Sequence, residues 1–576
     1  MGSQPRRPLL CLVLVIMKGA VWGMNSTMPF KQYLDHDHLF LMEWGFDDLQ
    51  GDITFTLVVN TTGWIGFGFS PNGGMAGADM IIGGFGPNGS YFTDQHATGN
   101  VAPVVDELQS YTLLSMEENE EQTSMTFRRL IQTCDDKDFH ITAQPIKIIY
   151  AYGTTDEILY HASRRGTKEV NLLNYMTRTA PSNGNYFNAV VENITVPPIT
   201  TYYHCKTMKL PKLTTKHHIY LMEPIIDNHE VVHHMLLYHC PPVVTETYDH
   251  QCYKGDTGDV CFGVVASWAV GGGIYELPEN VGIPVGNGEN EIYRLEIHYN
   301  NPQGRADIID SSGLRLYYTS ELRQHDVGVL NFGMLKMEHM QYNIPPKADQ
   351  FHSYGVCHTS HFSQIVNPMP DIHVFAVLLH THLAGRKVRV GHFRDGQQID
   401  FLGVDENYDF EMQQAMNLGT IKTIKPDDSI IIECTYSTTN RSKVTNLGLG
   451  TTDEMCLAFL LYYPALPITT CLSHPITQYL TMKSNDNRSE PISNSLSTQT
   501  PEYEDIQAYE TLLKTIPQVQ IIVDDKFNWS TVQIDGIRDL MKTPTVTCEK
   551  TNSSIRLGSS WNLVGIIILL LLIVQL

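Results

Sequence analysis

The sequence predicts an all-β protein assembled from several sandwiches. Three observations carry that expectation. Short β-rich runs at 53–60, 146–152, 291–300, 429–435 and 457–463 repeat apolar residues at period two rather than 3.6. Gly, Pro, Asn and Asp interrupt these runs, and the chain holds 43 Gly and 29 Pro. With 576 residues there is room for three or four cores at about 150 residues per domain. A net charge of -23 and the lack of any Lys/Arg run exclude a nucleic-acid footprint.

Taken in chain order, residues 1–23 read as a secretory signal. Arg6 and Arg7 precede an apolar run at 9–17, followed by small Ala20 and Gly23. Cleavage there removes Cys11, one of 11 cysteines, and leaves an even number in an oxidising compartment. Asn25, Asn60, Asn88, Asn193, Asn440, Asn487, Asn528 and Asn552 each open an Asn-x-Ser/Thr sequon and are the glycosylation candidates of a lumenal protein. Residues 36–153 contain GWIGFGFSP at 63–71 and MAGAD at 75–79, where glycine density suits tight turns and close strand packing. This segment resembles the DOMON domain, a β-sandwich in which some members bind haem or a sugar. Met75 and His161 are the candidate haem ligands; a gap-filling methionine and a surface histidine are the preferred reading.

Domain boundaries are expected in the polar stretch 164–185 and near Pro345 and Pro346, which gives units at 186–335 and 336–480. Beyond Pro475 the Ser/Asn/Thr/Glu-rich composition reads as a polar tail, 481–560. Residues 561–576 form a hydrophobic end. Its apolar run Leu563–Leu576 reaches about 21 Å as a helix, short of a hydrocarbon core of about 30 Å. A single span with Trp561 at the interface and a GPI signal following Asn552, Ser553 and Ser554 are alternatives. Either one anchors the chain to a membrane with its bulk lumenal or extracellular.

Chemistry concentrates in three histidine motifs. His380 and His382 sit at i and i+2 after the apolar run 374–379, so a strand would turn both imidazoles to one face. His298 alternates with Tyr293, Leu295, Ile297 and Tyr299, and is expected to face away from the core those residues build. Adjacent His233 and His234 would point to opposite faces of a regular strand; joint ligation needs a bulge or twist, or different ring nitrogens. No HExxH accompanies these motifs, which weakens the case for hydrolytic zinc. Imidazole with the thioether of Met455 favours copper.

HHMLLYHC from His233, LEIHYNNP from Leu295, LLHTHLAGRKV from Leu378 and DEMC from Asp453 resemble, in order, the signatures of the copper type II, ascorbate-dependent monooxygenases. That family includes dopamine β-hydroxylase and peptidylglycine α-hydroxylating monooxygenase. The resemblance covers about 186–475 and, with the segment in front, implies a DOMON-like β-sandwich followed by two jelly-roll copper domains. It implies two coppers: one on His233, His234 and His298 that passes an electron, and one on His380, His382 and Met455 where O2 reacts. Ascorbate would be the reductant. It also implies disulfides Cys205–Cys252, Cys240–Cys261, Cys357–Cys471, Cys434–Cys456 and Cys134–Cys548.

Two departures limit what the resemblance implies. No cysteine lies between 471 and 548, where the dopamine enzyme carries subunit-linking cysteines, so no disulfide-linked oligomer is expected. Where the peptidylglycine branch binds its substrate carboxylate, this chain has Leu378, Leu457 and Phe459. The expected substrate is therefore closer to an arylalkylamine than to a peptide. The alternative is a non-catalytic metal-binding or ligand-binding ectodomain anchored at the membrane.

Overall fold

The computed structural model describes residues 28–479 and 503–542, except 36, 48–50, 88, 143–145, 174–179, 210–212, 255–259, 262, 270–272, 287–291, 302, 335–341, 414, 449–451 and 539–540. The signal and the apolar C-terminal run lie outside this range. Among the described residues no helix is long and apolar enough to cross a membrane.

Strands dominate, as expected. In the N-terminal domain a five-stranded sheet ordered Phe30–Tyr33, Phe40–Asp47, Asp52–Val59, Thr123–Leu130, Tyr111–Glu118 accompanies a six-stranded one. The second sheet is ordered Arg165–Val170, Ile146–Tyr152, Ile65–Ser70, Asp79–Gly86, Gly89–His96, Val104–Val105. Phe55, Phe67, Phe69 and Phe127 fill one core between them. Strand Arg165–Val170 pairs with Ile146–Tyr152, so this sheet continues into the stretch read as a boundary.

The middle domain places Thr201–Lys209, Ile292–Asn300, Val232–His239 and Gly263–Ala269 side by side in one sheet. In the third domain a seven-stranded sheet runs Met416–Ile424, Ile372–His380, Cys456–Tyr463, Gly328–Met334, Ile468–Pro475, Gln518–Asp524, Trp529–Ile534. Two expectations change here. Gly328–Met334 pairs with Cys456–Tyr463 and so belongs to the third domain, earlier than the boundary at 335. The stretch read as a polar tail also supplies structure: helix Tyr503–Thr515 and two strands that extend the seven-stranded sheet. The physical reason is local, since Ile521, Ile522 and Val523 are buried and Gln518 and Gln520 are hydrogen-bonded within the fold.

The middle and third domains share apolar cores. Leu236, Tyr238 and Ile292 cluster with Leu378, Met455, Leu457 and Phe459, which presses the histidine-bearing strands of the two domains together. The N-terminal domain reaches the same region through Lys147, which pairs with Asp409.

Between described residues four disulfides are closed: Cys205–Cys252, Cys240–Cys261, Cys357–Cys471 and Cys434–Cys456. Cys548, the implied partner of Cys134, lies outside the described residues. Of the sequon asparagines, Asn60, Asn193, Asn440 and Asn528 are exposed; Asn25, Asn88, Asn487 and Asn552 lie outside the described residues.

Candidate metal centres

His234 and His298 are direct cross-strand partners on Val232–His239 and Ile292–Asn300. A register shift falls between Val232 and His234, at His233 itself. This irregularity brings the neighbouring side chain to the same side as its successor, which a regular pleat forbids. Ligand atoms of His233, His234 and His298 all lie within 4.8 Å of one another, and all three residues are buried. Tyr203, the partner of His298 on the next strand, stacks on the imidazole at 4.5 Å and 7° between ring planes.

His298 does point away from the core that Tyr293, Leu295, Ile297 and Tyr299 enter, yet it is 0% exposed. The polar face of its strand abuts the third domain rather than water. Burial drives the His298 pKa down to about 3, helped by His233, and drives His234 well below its usual value. Both rings are therefore neutral at physiological pH, with lone pairs available to a metal.

His380 closes strand Ile372–His380, and His382 lies just beyond it. Their rings still meet at 5.2 Å between centroids. Each is oriented through Nδ1: that of His380 donates to Gln413 Oε1 at 2.5 Å, and that of His382 donates to the Asp453 carbonyl at 3.2 Å. Nε2 is the remaining nitrogen on both rings, the arrangement that orients imidazole ligands elsewhere. Burial lowers His380 to about 4. His380 pairs with Leu457 across the sheet, and the buried Met455 precedes that strand by one residue.

One phenyl ring joins the two sets. Phe410 lies 5.7 Å from His234, 6.2 Å from His298, 6.4 Å from His380 and 5.8 Å from His382, centroid to centroid. Met75 and His161, far apart in sequence, both line a cavity of about 850 Å³ in the N-terminal domain.

Comparison with known proteins adds the family. Residues 187–306 match the N-terminal domain of copper type II ascorbate-dependent monooxygenases, 325–484 the C-terminal domain, and 36–153 the DOMON domain. DBH-like monooxygenase protein 2 of Mus musculus is 36% identical, covering 94% of this chain and 89% of its own. The chain belongs to the copper type II ascorbate-dependent monooxygenases. DBH-like monooxygenase protein 1 of Homo sapiens is 38% identical over 81% of this chain and 78% of its own, and dopamine beta-hydroxylase of Homo sapiens 32% over the same shares. Copper and ascorbate are the cofactor and reductant of this monooxygenase family, which makes the chain an oxidoreductase by membership.

The donor sets fit copper. Three clustered imidazoles in one set, and two imidazoles in the other with Met455 buried just ahead of the neighbouring strand, are ligand types that suit Cu(II) and Cu(I). Sequence reasoning missed the residues that hold the surroundings of His380 and His382 in shape. Glu454, 0% exposed, accepts the His382 amide at 2.8 Å and the Ala384 amide at 2.5 Å. Burial pushes its pKa up to about 7 against those bonds. Tyr408 Oη accepts the Thr381 amide and donates to the Thr381 carbonyl, both at 2.9 Å, which turns Thr381 away between the two ligand candidates. Only Glu454 had a signal, its place inside DEMC; Tyr408, Phe410 and Gln413 sit in a loop with no pattern of its own.

Proposed function

We propose that the chain hydroxylates a C–H bond of a small arylalkylamine-like molecule, using O2 and ascorbate and two coppers per chain. One observation supports the reading above others: His234 and His298 of one domain and His380 and His382 of another pack around the ring of Phe410. His233, His234 and His298 would hold the electron-transfer copper; His380, His382 and Met455 would hold the copper where oxygen reacts. Bound copper supplies one-electron redox chemistry, so that two electrons from ascorbate, O2 and two protons turn C–H into C–OH and release water. The residues of the chain do the rest. Buried, neutral imidazoles keep protons from competing for the metal at physiological pH. Gln413 and the Asp453 carbonyl hold the two rings in one tautomer.

The substrate side is apolar. Leu378, Leu457 and Phe459, at the positions where the peptidylglycine branch binds a carboxylate, are buried in one cluster with Met455, which supports a substrate other than a peptide. Exposed sequons and closed disulfides support a secretory, lumenal or extracellular setting. Membrane attachment through 561–576 belongs to the same proposal. Oxygen uptake with ascorbate, screened over arylalkylamines, tests the reading: at least one amine should raise uptake and yield a hydroxylated product. Uptake that no amine changes would point to the non-catalytic alternative.

A further inference from the structure

The face that the third domain turns toward the middle domain holds a polar side chain that neither histidine set engages. Asn331 is 1% exposed, and neither its Oδ1 nor its Nδ2 has a hydrogen-bond partner among the described residues. A carboxamide can make four hydrogen bonds, and burying one with none made is costly. Buried polar groups in native folds are normally satisfied, so this one calls for a partner.

Its place in the sheet says what kind of partner that is. On strand Gly328–Met334, Leu330, Phe332 and Met334 enter the third-domain core. Alternation sends Asn331 to the opposite face, where Val329 packs against the cluster shared with the middle domain. Asn331 pairs with Phe459, and Phe459 pairs with Leu378 on its other side, so the three form a row across the sheet. His380 lies two residues beyond Leu378 on the same strand, and its ring is 6.4 Å from that of Phe459. Two strands across and two residues along, Asn331 is about 12 Å from His380 by sheet geometry. Phe459 stands between them.

On the hydroxylation reading proposed above, we infer that Asn331 is a specificity-determining residue, whose carboxamide holds an uncharged hydroxyl at the end of the substrate farthest from the C–H bond that reacts. The amide offers a donor and an acceptor together, the pair that a hydroxyl matches. It has no charge to balance an ammonium inside an apolar cluster, so the amine end of the substrate lies elsewhere. An aromatic ring packed on Phe459 would carry the hydroxyl to Asn331 while its side chain reaches toward His380.

The test compares tyramine with phenethylamine, which differ only in the ring hydroxyl, on the full, copper-loaded chain. Kd is read by calorimetry, and kcat/KM from ascorbate-dependent product formation. Wild type should favour tyramine at least about tenfold in both. Asn331→Leu should bring both ratios to about one by losing tyramine, with phenethylamine changed less than about threefold. Without ligand, this variant should keep its copper and unfold no earlier than wild type, because it breaks no hydrogen bond to another described residue and keeps nearly the same volume. A wild type that does not discriminate between the two amines, or a preference that survives in Asn331→Leu, would overturn the inference and leave Asn331 a buried water as its partner. Tyramine preference in Kd with no product from either amine would count against hydroxylation and still uphold the role of Asn331.

Discussion

The two histidine sets reach similar chemistry by different construction. In the middle domain the ligand candidates belong to two paired strands, and register does the positioning: His234 faces His298, and a shift at His233 adds the third ring. In the third domain the strand ends at His380, and side-chain and backbone hydrogen bonds take over: Gln413, the Asp453 carbonyl and Glu454 hold what the sheet no longer can. The difference teaches where each site is vulnerable. A sheet-built site fails when a ligand is lost, whereas a rim-built site can also fail through the residues behind it.

The first way to break the comparison is at the thioether. Met455→Ile should lower hydroxylation by about 100-fold or more, some 2.7 kcal/mol of transition-state stabilisation, while the copper on His233, His234 and His298 stays bound. Steady-state product formation with copper analysis checks both halves. Full activity would make Met455 packing alone. Phe410→Ala comes next, because the ring touches both sets and is buried. It should destabilise the fold by about 3 kcal/mol, read by denaturant unfolding, and disturb the two sites together rather than one.

Gln413→Leu sharpens the comparison, since it removes the acceptor of His380 without touching the other set. Copper affinity of the third-domain site should fall about tenfold, with the middle-domain site unchanged in a chelator titration. Smallest is the pH effect. With His380 held near 4 and His298 near 3, half-protonation comes only at those values, so copper content should be nearly level from pH 7.5 to 5 and fall beneath about 4. Loss centred near pH 6.5 would mean that the imidazoles behave as exposed ones.

Much of this was legible in the sequence, and particular residues mark where it stopped. Period-two alternation placed His298 opposite Tyr293, Leu295, Ile297 and Tyr299, and joint ligation by His233 and His234 needed a bulge or twist, or different ring nitrogens. Whether the polar face of that strand met water or protein was beyond any local pattern; it meets the third domain, and His298 is buried. The spacing of His380 and His382 was informative although the second ring lies past the strand. Phe410 and Gln413 were invisible because their roles arise only when a loop of the third domain lands beside its own histidines and, through Phe410, against those of the middle domain. The strand Gln518–Asp524 was missed because flanking polar composition masked a short buried run.

The central claim is two coppers on two separately built sites, and metal analysis of the secreted chain lacking its hydrophobic end tests it most directly. Copper-reconstituted protein should carry two coppers per chain, and His298→Ala should carry one, on the third domain. A reproducible single copper in the wild type would contradict the account.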